Sequence, residues 1–282
     1  NTIKKVSGKK ITETPLVWAL YKEVQDYYDK GMRVPEDVTL LLCDDNWGNV
    51  RKLPDLNAKP HKGGYGMYYH FDYVGGPRNY KWINVSQIQR IWEQMNLTYS
   101  HGVDRIWIVN VGDLKPMEYP INFFLDMAWN PAQFNSQNLL SHTEKWCAAQ
   151  FGEKYSKEAA RLIDTYTKYS RRITPELLND TIYSLKNYNE FETVMNDFRA
   201  LALDAFRLYQ QIPAESRDAF DQLVLFPINA FSNLYEMYFA VAKNKELAKQ
   251  NNPKANLWAD KVKACFDRDS LLTVHYNTAI SG

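Results

Sequence analysis

Three short apolar segments in the first half of the chain are each followed by polar or turn-forming residues. They span residues 38–43, 67–74 and 105–109, and the first and third run directly into Asp44-Asp45-Asn46 and Asn110-Val111-Gly112-Asp113. A continuous apolar run of this length is typical of a strand buried on both faces of a parallel sheet. Because the carboxyl ends of the strands carry the active site in a (β/α) barrel, the pattern predicts part of such a barrel with functional groups after each strand.

Helical patterns accompany these strands. Thr14-Pro15 is a helix start signal, and it predicts a helix to about Lys30 that Gly31 closes. A second helix is predicted over residues 86–100, where Ile88, Ile91, Trp92 and Met95 recur at helical spacing. Strands joined by a helix support the barrel interpretation.

The second half of the chain has the pattern of long helices, predicted over residues 139–151, 155–170, 188–209, 218–242 and 256–266. Short polar connections with prolines predict an antiparallel helical bundle. We therefore expect α/β then all-α architecture: the later strands of a (β/α)8 TIM-type barrel in residues 1–130 and a helical bundle in residues 131–282. Eight strands do not fit before the helices, so we expect the chain to be a segment of a longer protein.

The balance of charges argues against polyanionic partners. With 34 Lys+Arg against 33 Asp+Glu, the net charge is +1, and we expect neither nucleic acid nor an anionic membrane as a partner. No apolar run approaches a membrane span, and no signal peptide is recognisable. The 3 widely spaced cysteines predict neither a disulfide framework nor a metal site, and no cofactor is expected.

Aromatic content and carboxylates suggest sugar chemistry. The chain contains 8 Trp and 19 Tyr, whose rings could cover the C–H faces of sugars or serve in the core. Glycoside hydrolysis usually needs two carboxyl groups. Glu23 interrupts an apolar stripe of the predicted first helix, so burial would suit it as a general acid. The alternative is an acid at the edge of the stripe that pairs with Lys22.

Further candidates lie at the predicted strand ends. Asp44 and Asp45 are adjacent, so at most one faces the mouth, and loop capping is the alternative for both. His70 alternates with Tyr69, Phe71 and Tyr73 in its strand, and could equally be a core histidine. Asn110, with Asp113 and Lys115 nearby, could bind a hydroxyl or carboxylate, or cap a loop.

Several runs of the chain resemble glycoside hydrolase family 115. The resemblance covers roughly residues 15–130 and is specific only when its runs are taken together; they include WALYKEVQ followed by YY, CDDNWG, GMYYHFDYVGGP, WIVNVGDLKP and FLDMAW. It implies an inverting exo-α-1,2-glucuronidase that removes glucuronic acid, or its 4-O-methyl ether, from glucuronoxylan. The implied architecture is a barrel followed by a helical bundle, with further domains on either side.

The resemblance also implies roles for individual residues. It makes Glu23 a catalytic carboxylate and places Asn46, His70, Tyr73 and Asn110 around the uronic acid; we add Asp45 to this substrate-binding set from its position at a strand end. The second catalytic carboxylate is expected upstream of this segment. The implied partners are glucuronoxylan or its oligosaccharides, with a homodimer of the longer protein left open, and the implied location is secreted or periplasmic. A non-catalytic carbohydrate-binding or scaffold segment is the alternative function.

Overall fold

A computed structural model of the protein describes residues 2–10 and 13–280. The first part of the chain alternates strands with helices, and the second part is helical. The elements are α1 (Thr2–Ser7), β1 (Val17–Ala19), α2 (Glu23–Asp29), β2 (Thr39–Cys43), β3 (Tyr65–His70), α3 (Ile88–Ser100), β4 (Ile106–Asn110), α4 (Glu118–Trp129), α5 (Leu139–Phe151), α6 (Glu153–Ser170), α7 (Glu190–Tyr209), α8 (Ala214–Phe220), a π-helical segment (Asp221–Leu225), α9 (Phe226–Lys249) and α10 (Ala255–Thr278).

The four strands form one parallel sheet in the order β1-β2-β3-β4. After Thr39, strand β2 consists of apolar residues that are all buried, as expected for a strand covered on both faces. The register pairs Cys43 with Tyr68 and His70 with Asn110, which brings the carboxyl ends of β2, β3 and β4 side by side. The residues that follow these strands therefore meet at one edge of the sheet.

Gly66 allows strand β3 to pack closely against its neighbours. A Cβ atom at this position would lie 2.5 Å from the Ile106 Cγ2 atom, 2.7 Å from the Ile106 carbonyl oxygen and 2.9 Å from Leu41 Cδ1. Contacts this short do not occur between real side chains and backbone, so any larger residue would push the strands apart. Gly66 therefore has a packing role within the sheet.

The predicted first helix is wrong over most of its length. Residues Val17–Ala19 form β1, which pairs with Thr39–Leu41 of β2, and helix α2 begins only at Glu23. Val17 and Trp18 have high strand propensity, and pairing with β2 overrides the start signal at Thr14-Pro15. The apolar stripe that would have buried Glu23 therefore does not exist, and Glu23 is exposed.

Strand β3 is also shorter than predicted. It ends at His70, whereas the sequence predicted a strand to residue 74. Tyr69 and Phe71 do share a face, since both contact Phe124 of α4. Tyr73 lies in the turn that follows and contacts the His70 ring instead, with ring centres 6.0 Å apart. The predicted alternation of side chains between the two faces of the strand does not continue to Tyr73, because the backbone turns after His70.

The helical half follows its predicted pattern with longer elements. Helices α5, α6 and α7 lie within two residues of their predicted bounds, whereas the helix predicted over 218–242 is divided by the π-helical segment and extends to Lys249. Helix α10 reaches Thr278, twelve residues beyond its predicted end. Aromatic rings of α7 and α9 fill the core of this half, among them Phe198 and Tyr235 with centres 4.3 Å apart.

The described residues divide into two compact units. Unit 1 contains the residues up to Lys81 together with Ile88–Ser136, and unit 2 contains Trp82–Gln87 and the residues from Gln137 onward. Trp82 belongs to unit 2 because its ring packs on Phe231 at 5.9 Å and its backbone N–H donates to Glu176. None of the helices formed by the described residues is long and apolar enough to cross a membrane.

The cysteines are expected to be unreactive in the folded protein. Cys43, Cys147 and Cys265 are buried and free, and burial raises the pKa of the Cys43 and Cys147 thiols to about 12. Since the thiolate is the reactive form, we expect a disulfide reagent to label these thiols at least about 100-fold more slowly than in urea-unfolded protein. Time-resolved labelling with mass spectrometry measures this rate, and fast labelling of any one cysteine in native buffer would contradict its burial.

Candidate active site

The carboxyl ends of the four strands carry the chemically active side chains of unit 1. Asp44 follows β2, His70 ends β3 and Asn110 ends β4, while Tyr21 and Lys22 follow β1. This placement is the one predicted for the strand ends, although the contribution of β1 was not predicted.

Asp44 is the buried carboxylate that holds the residues of the site in position. Its side chain is buried, and its carboxylate accepts hydrogen bonds from the backbone N–H groups of Asn46 (2.9 Å), Gly48 (3.0 Å) and His70 (3.0 Å) and contacts the His70 Nδ1 atom at 2.6 Å. Each carboxylate oxygen of Asp44 therefore has two hydrogen-bond partners. Asp44 consequently fixes the loop after β2 and the end of β3, and no lone pair direction is left for a substrate proton.

The histidine ring is oriented by this carboxylate. Because the Asp44 carboxylate is a hydrogen-bond acceptor, Nδ1 carries the proton of this contact, and Nε2 is an acceptor when the ring holds a single proton. The rings of Tyr68, Tyr73 and Tyr21 surround His70, with centres 4.4, 6.0 and 6.2 Å away. Both alternatives for His70 apply. It lies in the predicted cluster, and it is also a buried residue whose Nδ1 atom has a hydrogen-bond partner.

Lys22 provides the positive charge of the site, and sequence reasoning missed it. Its ammonium donates to the Tyr73 hydroxyl at 2.8 Å and lies 5.3 and 5.2 Å from the ring centres of Tyr21 and Tyr73. The hydrogen bond with Tyr73 raises the pKa of Lys22, so the ammonium stays protonated at neutral pH. Its backbone has φ 51° and ψ −122°, an unfavourable conformation that costs about 1–3 kcal/mol and is typical of functional sites.

Two tyrosines of the site, Tyr21 and Tyr68, have raised pKa values. Burial raises the pKa of Tyr21, although the Lys22 charge acts in the opposite direction. Burial likewise raises the pKa of Tyr68, whose hydroxyl is bonded to the Asn110 side chain. The Asn110 Oδ1 atom also accepts from the Gly112 N–H at 3.2 Å. Asn110 therefore belongs to the cluster through Tyr68 and at the same time caps its own loop.

The loop after β2 presents Asn46 in a constrained conformation. Asn46 has φ 73°, a left-handed conformation that asparagine tolerates, and it is buried. Its Oδ1 atom has no hydrogen-bond partner among the described residues. A buried acceptor without a partner is uncommon, and it makes Asn46 suited to accept a hydrogen bond from a ligand hydroxyl. The neighbouring Trp47 ring contacts Tyr73, with centres 6.1 Å apart, and is covered by the Arg78 guanidinium.

The other predicted carboxylates are placed differently. Asp45 accepts from the Trp47 and Asn49 N–H groups and from the Asn49 side chain, so it caps its loop. Glu23 opens α2, one residue after Lys22, and its carboxylate is exposed, without a hydrogen bond or ion pair to any described residue. Asp113 and Lys115 are exposed in the loop after β4. Among residues 2–10 and 13–280, no three His, Cys, Asp or Glu side chains are grouped to hold a metal.

Two comparisons identify relatives of this chain. The model of glycosyl hydrolase family 115 matches residues 1–177. A solved structure described as a novel family GH115 4-O-methyl-α-glucuronidase, BtGH115A, with specificity for decorated arabinogalactans is 31% identical, with a TM-score of 0.85 over 98% of this chain. The chain spans 37% of the length of that structure. A comparison with curated proteins gives no match. The family match covers well over half of the sequence and agrees with the groups at the strand ends, and the chain therefore belongs to glycosyl hydrolase family 115.

Proposed function

We propose that the protein to which this chain belongs is an exo-acting α-glucuronidase that releases glucuronic acid, or its 4-O-methyl ether, from a plant polysaccharide. The observation that carries the proposal is the Lys22 ammonium at the strand ends of a family 115 chain, which contacts Tyr21 and Tyr73, the same two rings that contact His70. A uronic acid differs from a neutral hexose by its carboxylate. A protonated lysine beside tyrosine hydroxyls favours the binding of that group.

Each group in the cluster has a role in this proposal. Lys22 binds the uronate carboxylate, and the Nε2 atom of His70 and the Oδ1 atom of Asn46 accept hydrogen bonds from sugar hydroxyls. The Tyr73 hydroxyl, which already accepts from Lys22 and donates to the Gly76 carbonyl at 3.1 Å, positions the ammonium. Asn110 positions the Tyr68 hydroxyl. Asp44 orients His70 without touching the sugar.

We propose the inverting mechanism for the reaction. It needs a general acid and a general base on opposite sides of the glycosidic bond, far enough apart for a water molecule. Glu23 is the candidate in this chain, because it is exposed next to Lys22 and its carboxylate is not used by the fold. Asp44 and Asp45 are both used to hold loops. The partner carboxylate is therefore proposed to come from another part of the longer protein.

The proposed architecture extends beyond the four strands. The parallel sheet is proposed to be the later part of a (β/α)8 barrel, and unit 2 an antiparallel helical bundle. The sheet order and the position of the polar groups support the barrel, because sequential parallel strands with active groups at their carboxyl ends are its defining features. The segment by itself is expected to be inactive, since four strands supply only part of a barrel mouth.

Two polysaccharides are candidates for the substrate. The resemblance seen in the sequence implies glucuronoxylan, and the related structure is described as specific for decorated arabinogalactans. Both present a glucuronic acid side group to an exo-acting enzyme. We propose that the protein acts outside the cytoplasm, because both polymers are too large to be taken up intact. The decisive experiment is the release of glucuronic acid from each polymer by the full-length protein, and no release from either would contradict the proposal.

Replacing Lys22 tests how the carboxylate is bound. In the full-length protein, Lys22→Gln is expected to raise KM about 10- to 100-fold with a smaller change in kcat, because the variant loses a charge-assisted hydrogen bond to the carboxylate. A substrate whose carboxylate has been reduced to the alcohol should show no such difference between wild type and variant. Steady-state kinetics with both substrates measure the effect.

A matched control is Lys30→Gln, which removes an exposed lysine at the other end of α2. It should leave KM for both substrates unchanged. If Lys22→Gln affects the reduced and the charged substrate equally, Lys22 does not bind the carboxylate.

A further inference from the structure

Unit 2 contains a pocket of about 480 Å³ that the proposed reaction does not use. It lies between three helices and is lined by side chains that recur at helical spacing, so that each helix offers one face. Its polar and aromatic lining includes Arg199 and Phe206 of α7, Asn229, Asn233 and Glu236 of α9, and Arg268 of α10. Of the charged groups in this lining, Glu236 is buried, whereas Arg199 is exposed at the rim of the pocket.

The charges of the pocket leave one arginine uncompensated. Glu236 is buried and is paired with Arg268 at 2.7 Å and with Lys261 at 3.0 Å. Burial opposes its ionisation, but the hydrogen bonds from Arg268 and Lys261 prevail and lower the pKa of Glu236. Arg199 makes no ion pair with any residue in the described part of the chain. Glu236 is therefore neutralised by Arg268 and Lys261, and the exposed Arg199 guanidinium at the rim can bind an anion.

A buried amide in the same pocket lacks a hydrogen bond. Asn233 is 3% exposed, and its Nδ2 group donates to the Cys265 carbonyl at 2.9 Å. Its Oδ1 atom is buried and has no hydrogen-bond partner among the described residues. Since buried polar atoms are nearly always satisfied, a donor from outside the chain fits here. The hydroxyl group of a bound ligand would supply it.

The remaining wall of the pocket is apolar and partly open to solvent. Phe206 is 49% exposed, and its ring stacks on Tyr209 with centres 6.5 Å apart. Leu203, one turn earlier on α7, is 58% exposed. An exposed ring beside charged groups is the combination that binds a molecule with one apolar face and one polar edge. A pyranose ring has such a face, formed by its C–H groups.

We infer that this pocket is a second binding site for a uronic acid, separate from the strand-end cluster and without a catalytic function. The Arg199 guanidinium binds the carboxylate, Asn233 accepts from a ring hydroxyl, and the C–H face lies on Phe206. The identity of the sugar rests on the proposed function, because a glucuronidase meets several uronic acid groups on one polymer. A non-catalytic site would hold the polymer while side groups are removed at the active site.

The test is a titration with sodium glucuronate, monitored through the side-chain amide NMR signals of the asparagines. Glucose is the uncharged control ligand. In the full-length protein we expect the Asn233 and Asn229 signals to shift with a Kd on the order of 1 mM, and glucose to bind at least about tenfold more weakly. Arg199→Gln should raise this Kd at least about tenfold and leave the release of glucuronic acid unchanged. Arg207→Gln, an exposed arginine of the same helix, is the control and should change neither.

The two proposals fail in distinguishable ways. If glucuronic acid is released normally while the Asn233 signal does not respond to glucuronate, the second site is wrong and the proposed function stands. If the Asn233 signal responds and Arg199→Gln abolishes the response, but no uronic acid is released from either polymer, the pocket stands and the proposed function is wrong. An equal response in Arg199→Gln and wild type would also overturn the assignment of the pocket.

Discussion

Glu23→Gln is expected to lower kcat for glucuronic acid release by about 10²–10⁴, the usual contribution of a general acid or base. Glutamine has nearly the same shape but neither donates nor accepts the transferred proton. The carboxylate is exposed and forms no hydrogen bond or ion pair in the described part of the chain, so the substitution should not disturb the fold. KM should change less than threefold, since the loss concerns the transition state rather than substrate binding.

Asp26→Asn is the matched control for this prediction. Asp26 is also exposed and lies in the first turn of the same helix, three residues further along. It should retain full activity. Steady-state assays of the full-length protein, with thermal unfolding recorded for both variants, separate a chemical effect from a structural one. If Glu23→Gln retains kcat within a factor of about three, Glu23 is not the catalytic carboxylate, and both members of the pair lie outside this chain.

Asp44→Asn is expected to lower the free energy of unfolding by about 2–6 kcal/mol, since it leaves two buried donors without an acceptor at about 1–3 kcal/mol each. Both carboxylate oxygens accept two hydrogen bonds, from the Asn46, Gly48 and His70 N–H groups and from His70 Nδ1. An amide NH₂ at either position would face two donors and leave them unsatisfied. Hydrogen exchange of the His70 backbone amide measures the effect locally, without assuming that both units unfold together.

The same substitution should also affect activity. His70 loses the acceptor that fixes its ring, and a displacement of about 1 Å at a substrate-contacting group lowers kcat/KM about 100-fold. Asp113→Asn is the control, because Asp113 also follows a strand but is exposed. It should change neither stability nor activity. Unchanged exchange at His70 in Asp44→Asn would mean that the buried carboxylate is not required for the fold of the site.

Much of the fold could be predicted because local patterns coincide with tertiary packing. The buried run that ends at Cys43 and the amphipathic helix around Ile91 have the periodicity of their elements, and both formed where expected. The helical half was predicted for the same reason. Its boundaries were less accurate, since only two residues of α10 are buried and most of that helix carries no apolar periodicity.

The structure brings several of the predicted site residues together, and their roles stay predictions. Asn46, His70, Tyr73 and Asn110 lie in or beside one cluster, because parallel strands bring their carboxyl ends to the same edge. Glu23 was assigned to a buried helical stripe, and this was wrong because β1 formed in its place. Lys22 could not be found from the sequence, as its position depends on a strained backbone conformation and a hydrogen bond to a residue 51 positions away.

The sequence by itself determined which segments become strands and helices in the buried regions, the polar character of the strand ends, and the resemblance to family 115. These depend on periodicity and on short runs of neighbouring residues. Only the tertiary structure decided that residues 17–19 join the sheet, that Asp44 holds His70, and that Arg199 and Asn233 line one pocket. These features depend on pairing and contacts between residues far apart in the chain, and local sequence preference does not specify them.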